Sequence, residues 1–147
     1  MTEHLFTVET NWPGGRNTVG TLAAERLQTK ISIPPEMDGP GVGTNPDEML
    51  LGAAATCYII SLAAMLERAQ IEVNRLVMTS EGIVDVTNGV FTYVKIIHRP
   101  HITLKETSTN TITKAQRLAE KAEKTCMISK AIRGNVTIEL QVTIIAE

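Results

Sequence analysis

The clearest periodic signal lies near the end of the chain. There Val136, Ile138, Leu140, Val142 and Ile144 alternate with Thr137, Glu139, Gln141 and Thr143. A period of two sends alternate side chains to opposite faces, so this segment predicts a half-buried strand. Leu27, Thr29, Ile31 and Ile33 alternate with Gln28, Lys30 and Ser32 in the same way, until Pro34-Pro35 ends the run. With residues 5–11 and 18–22 this makes three short N-terminal strands. Residues 73–81 and 83–86 also read as strands. Asn88-Gly89 is the dipeptide of a two-residue hairpin turn, and a strand over 90–98 follows it, stopped by Pro100.

Helical spacing replaces alternation at two places. Asn45 can cap a helix, with Thr44 as an alternative one residue earlier. Pro46 suits the first helical position, and Glu48 stands three residues past the cap. This helix should run to about residue 70. It is apolar on nearly all sides, which predicts burial. Gly52, Ala53, Ala54, Ala55, Ala63 and Ala64 leave room for another backbone to approach. A second helix is expected over 111–124, with Ile112, Ala115, Leu118, Ala119 and Ala122 on one face, then a short helical turn over 127–133 that stops at Gly134. The order β-β-β-α-β-β-α-β uses hairpins rather than βαβ crossovers. It predicts an α+β fold, antiparallel β-sheets around two main helices, in a single domain over residues 1–147.

Composition narrows the function classes. With two Phe, two Tyr and one Trp, the core must be mainly aliphatic. A net charge of −2 gives no electrostatic reason to expect nucleic acid or an anionic membrane as partner. The first residues lack a basic region followed by an apolar stretch, so no signal peptide is expected. The window over 49–66 is interrupted by Gly52, Thr56, Cys57 and Ser61, so no membrane-crossing run is expected either. These points lead to the cytoplasm, where thiols stay reduced and a cysteine pair is more often catalytic or sensory than structural.

Cys57 and Cys126 are the two cysteines, each on the apolar face of a helical segment, and they can meet in the core as a redox pair. A nucleophilic cysteine must ionise, and a free thiol near pKa ~8.5 is only slightly ionised at neutral pH. Cys57 stands twelve residues past Asn45, beyond the reach of its own helix N-terminus, and burial opposes ionisation. Activation therefore calls for a cation from elsewhere. Arg16, after Gly14-Gly15, is the best candidate, and Asp47 and Glu48 are the carboxylates placed by motif to orient it. Asp47 and Cys57 are separated by about 15 Å along one helix, too far for one arginine to serve both readily. Two copies of the helix packed antiparallel across a two-fold axis would solve this, which predicts a homodimer with shared sites.

Plainer readings stand beside these. Cys57 can be a small packing residue. The loop Gly39-Pro-Gly41-Val-Gly43 can cradle an anion but lacks the Gly-Lys-Ser/Thr ending of a P-loop. His98 and His101 lack a third ligand in register, so no metal is expected, and surface positions are. No cofactor is expected.

Two motifs carry a family resemblance that spans essentially the whole chain. The stretch Thr44-Asn-Pro-Asp-Glu-Met-Leu-Leu-Gly-Ala-Ala-Ala-Thr-Cys57 resembles the first cysteine motif of the OsmC/Ohr family, the osmotically inducible and organic hydroperoxide resistance proteins. Cys126-Met-Ile-Ser-Lys-Ala-Ile resembles the second. The resemblance implies an intertwined homodimer that acts as a thiol-dependent peroxidase on organic hydroperoxides. Cys57 would be its peroxidatic cysteine and Cys126 its resolving one, with an external dithiol as reductant. Arg16 matches the activating arginine. Asp47 stands where the family usually has glutamate, with Glu48 as the substitute, and Met127 stands where the second motif often has proline. Met49, Leu50, Ile60, Met65 and Met127 would line an apolar pocket for alkyl peroxides. The competing class is a non-catalytic dimer that binds a small apolar ligand or senses redox state.

Overall fold

The computed structural model describes residues 1–106 and 108–146. The chain divides into two compact units, Met1–Met49 and the part from Leu50 onward. In the first unit, strands β1 (Val8–Asn11), β2 (Gly20–Ala24) and β3 (Gln28–Ile31) form an antiparallel meander. A 3-10 turn, Pro35–Met37, follows the prolines that end β3. The glycine loop after it spends its amides on its own chain. Gly39 N donates to Pro34 O, Gly41 N to Ile33 O, Val42 N to Ser32 Oγ and Thr44 N to Lys30 O. Gly43 has φ +72°, and a Cβ there would strike Lys30 O. A loop folded so tightly onto itself offers little to an anion.

Helix α1 (Pro46–Arg68) begins as its start signals require, with the Glu48 amide donating to Asn45 Oδ1 at 2.9 Å. Two expectations about α1 need correction. In one chain its buried stripe is only Ala54, Tyr58, Leu62 and Leu66, spaced four apart, while Gly52, Ala53, Thr56, Ile60 and Ala63 are exposed. Small residues lower a helix's polarity all round without giving each face something to pack against. The helix is also long and apolar enough to cross a membrane by length and composition, with a window of mean hydropathy 2.0. Gly, Thr, Cys and Ser interrupt such a run too weakly to lower that average.

The second unit is built on a long hairpin, β4 (Val73–Thr87) and β5 (Val90–Leu104), each strand about 50 Å when extended. Asn88 (φ 51°) and Gly89 (φ 75°) make the predicted turn. The two strands foreseen over 73–86 are one, with a bulge at its far end where the pairs Ile83–Lys95 and Val84–Tyr93 leave Val94 unmatched. Gly82 lies under the Tyr93 ring, where a Cβ would collide with the phenol oxygen. Beyond the bulge the ribbon exposes Val86, Val90 and Phe91.

Pro100 does not stop β5. Helix α2 (Thr109–Thr125), α3 (Met127–Ile132) and the last strands β6 (Thr137–Leu140) and β7 (Thr143–Ala146) complete the unit. Both β6 and β7 pair with β5 in parallel, and in one register: Lys95 with Thr137, and His101 with Thr143. They are one alternating strand, as the pattern predicted, interrupted at Gln141-Val142 opposite Arg99-Pro100. Gln141 N donates to His98 O, so the groups of residue 98, and by alternation those of residue 100, point toward this strand. Proline has no N–H to give there, and the ladder breaks at that rung. The sheet is therefore mixed rather than wholly antiparallel.

The main core joins Tyr58, Leu62 and Leu66 of α1 to Ile102 and Leu104 of β5 and to Ala115, Ala119, Ala122 and Cys126. A smaller cluster holds Ala54, Ile96 and Val136. The core is mainly aliphatic, with the rings of Tyr58 and His98 as exceptions. His98, expected at the surface, is fully buried, because its place in the β5 alternation between Ile96 and Pro100 faces α1. His101, one step out of phase, is partly exposed.

Candidate active site

The structure brings the two cysteines together. Cys57, in the middle of α1, is half-buried, and Cys126, at the junction of α2 and α3, is 1% exposed. Both are free thiols within hydrogen-bonding reach of each other. Their surroundings drive them apart chemically. Burial is the strongest single influence on Cys57 and pushes its pKa up. It is outweighed by donors, the Cys126 thiol first and then the backbone N–H groups of Ile128 and Met127, so the net direction is down. The Ser61 hydroxyl also reaches this sulfur, but it has one proton and places it on Cys57 O at 2.8 Å, which makes it the weakest of the four. Cys126 moves up, through burial and then through its role as donor to Cys57, with an opposing contribution from Ser129. The Ser129 hydroxyl is fully buried and, among the described residues, has no nitrogen or oxygen partner; the Cys126 sulfur is its contact. The pair is ordered, with Cys57 the readier of the two to ionise and Cys126 the readier to keep its proton.

These donors are what sequence reasoning missed. Cys57 is indeed too far along its own helix to feel that helix's N-terminus, but the first amides of α3 point at it instead. Donors of the second unit thus draw the Cys57 pKa down. A signal existed in Cys126-Met-Ile-Ser129, a helix start immediately after the second cysteine, but nothing in the sequence says that this start faces Cys57.

The other candidates lie in the first unit. The Trp12 indole N–H closes its loop by donating to Gly15 O at 3.0 Å. Arg16 then donates to Met37 O at 2.7 Å, to Asp38 O at 3.1 Å and to Asn17 Oδ1 at 2.9 Å, so the carbonyl end of the 3-10 turn holds its guanidinium. The Glu48 carboxylate accepts the Thr44 hydroxyl at 2.7 Å, and Asp47 is likewise engaged. Of the expected pocket residues, Met65 packs on the main core, whereas Ile60 and Met127 are exposed. Among the described residues, no three His, Cys, Asp or Glu side chains are grouped to hold a metal ion.

A dithiol so arranged can cycle between two thiols and a disulfide, with the exposed member as nucleophile. Residues 39–141 match the model of the family described as OsmC-like protein. The chain is 60% identical over 145 residues to the uncharacterized protein YmaD of Bacillus subtilis, covering 98% of this chain and 97% of that one. It is 29% identical over 140 residues to the organic hydroperoxide resistance protein of Xanthomonas axonopodis pv. citri, covering 92% and 93%. Among solved structures, an organic hydroperoxide resistance protein OsmC from Legionella pneumophila superposes with a TM-score of 0.76 at 28% identity, covering 96% of this chain and 99% of that one. Relatives named for hydroperoxide resistance favour a role of the peroxidase type. The matched region, the shared architecture and the paired cysteines lead to one conclusion: the chain belongs to the OsmC-like protein family.

Proposed function

We propose that the protein is a thiol-dependent peroxidase that reduces organic hydroperoxides, working as a cytoplasmic homodimer recharged by an external dithiol. The observation that carries this reading is the ordered pair: a half-exposed Cys57 whose sulfur accepts from a buried Cys126 thiol and two backbone amides, which draw its pKa down. In the first step the Cys57 thiolate attacks the terminal peroxide oxygen, the O–O bond breaks, and the alkoxide leaves to take a proton from solvent. Cys57 is then a sulfenic acid. Attack by Cys126 sulfur forms the disulfide and releases water. A dithiol reductant is oxidised in returning both thiols. On the motif resemblance, Arg16 stabilises the departing alkoxide, with Asp47 or Glu48 orienting it. The exposed face of α1 formed by Gly52, Ala53, Thr56, Ile60 and Ala63 supports the dimer, since an apolar helix face of this length is suited to a second copy.

The test is thiol counting on the reduced protein after addition of tert-butyl hydroperoxide. Both thiols should vanish together with formation of an intramolecular disulfide. Cys57→Ser should abolish the loss, and Arg16→Ala should slow it with little change in Tm. Two thiols inert to peroxide would sink the enzyme and leave the binding or sensing role in its place.

A further inference from the structure

One polar chain crosses the aliphatic core of the second unit. Ser80 Oγ on β4 lies 2.7 Å from Nδ1 of His98 on β5. The His98 ring stacks on Tyr58 of α1, with centroids 5.1 Å apart and planes 11° from parallel. The Tyr58 hydroxyl donates to Ala119 O of α2 at 2.9 Å. Both rings are fully buried. Tyr58 follows Cys57 directly, and Ala119 precedes Cys126 by two helical turns on the same buried face of α2. The Tyr58 hydroxyl is thus a fixed strut between the helix that carries one sulfur and the helix that ends at the other. Van der Waals contacts among alanines along this interface hold no unique spacing, because small side chains can slide. A directional bond can fix it.

We infer that Tyr58, backed by the stacked His98 ring, is a positioning residue that sets the separation of Cys57 and Cys126. Its removal lets the buried Cys126 thiol drift from the Cys57 sulfur to which it donates. Two consequences follow, one on the resting thiols and one on turnover. The second rests on the peroxidase reading and the first does not. A Cys57 less well supported by Cys126 ionises at higher pH. A Cys57 sulfenic acid that meets Cys126 less often survives to meet a second peroxide molecule, which converts it to sulfinic acid with reduction of that peroxide to alcohol.

The decisive variant is Tyr58→Phe. It keeps the ring and the stack, and the Ala119 carbonyl keeps its ordinary helical partner, so no buried acceptor is left empty. Alkylation of the reduced protein by iodoacetamide, followed against pH, reads Cys57 without any peroxide. The midpoint should rise, and at a fixed pH below it alkylation should be about threefold slower or more. With excess tert-butyl hydroperoxide the sulfinic fraction at Cys57, measured by mass spectrometry, should rise at the expense of the disulfide. Leu66→Ala, which cuts a cavity elsewhere in the same core, serves as control. It should lower Tm at least as much and move neither readout. An unchanged midpoint in Tyr58→Phe, or an equal shift in Leu66→Ala, would overturn the inference. A wild-type protein that ignores peroxide would remove the peroxidase reading, while the alkylation profile still decides the strut.

Discussion

Replacing Cys126 by alanine tests how Cys57 is activated. The Cys126 thiol donates to the Cys57 sulfur beside the Ile128 and Met127 amides. A hydrogen bond to a charged group contributes about 1.5–3 kcal/mol, and a thiol is a weak donor, so the lower end applies. At 1.36 kcal/mol per pH unit this is about one unit. Cys126→Ala should therefore raise the Cys57 ionisation midpoint by about one unit and slow alkylation about tenfold at a pH well below it. Cys126→Ser, which keeps a hydroxyl in place, should shift it less. The assay is the rate of iodoacetamide modification of the single remaining thiol, scanned from about pH 5 to pH 9 to bracket the free-thiol value. The α3 amides stay in both variants and continue to oppose the effect of burial. A midpoint in Cys126→Ala equal to or below that of wild type would refute the reasoning and return the burden of activation to a cation such as Arg16.

Two further predictions concern stability. His98 is buried, and burial holds its pKa below the usual imidazole value, so as pH falls the unfolded chain takes up a proton that the folded one refuses. Its contribution to stability is complete above about pH 6.5 and is lost as pH falls from there toward the folded value; urea midpoints should drop over this window in wild type and drop less in His98→Leu, and parallel slopes would argue against it. Asn45→Ala removes the acceptor of the Glu48 amide at the start of α1 and should cost about 1 kcal/mol in urea unfolding, with no loss there meaning that the Thr44–Glu48 bond alone suffices as a cap.

Local chemistry was the most legible part of the sequence. Asn45-Pro46 and Asn88-Gly89 act through their own dihedral preferences and nearest hydrogen bonds, and both do in the fold what they promise in the chain. Alternation likewise located the last strand. What escaped is non-local. Pro100 looked like a strand stop because its missing N–H matters only relative to a neighbour, and the neighbour turned out to be the strand's own interruption at Gln141-Val142. His98 looked like a surface residue because histidine usually is, yet the phase of β5 drives it inward against Tyr58. The proximity of Cys57 and Cys126 was a plausible guess from two apolar helix faces. The supply of α3 amides to Cys57 depends on how three helices meet, and no spacing along the chain encodes that.

The far end of the β4–β5 hairpin has a consequence for how the molecule opens. From Gly82 to Thr92 the ribbon contributes to neither core cluster, and its inward register is broken by the bulge at Val94. A two-stranded ribbon without a packed face is marginal in water. Its amides therefore exchange with solvent by fraying from the turn, a process of much lower free energy than opening the core around Tyr58 and Cys126. The cooperative unit ends at the bulge, and substitutions beyond it report on whatever surface covers Val86, Val90 and Phe91 while leaving the global unfolding of the dithiol core untouched.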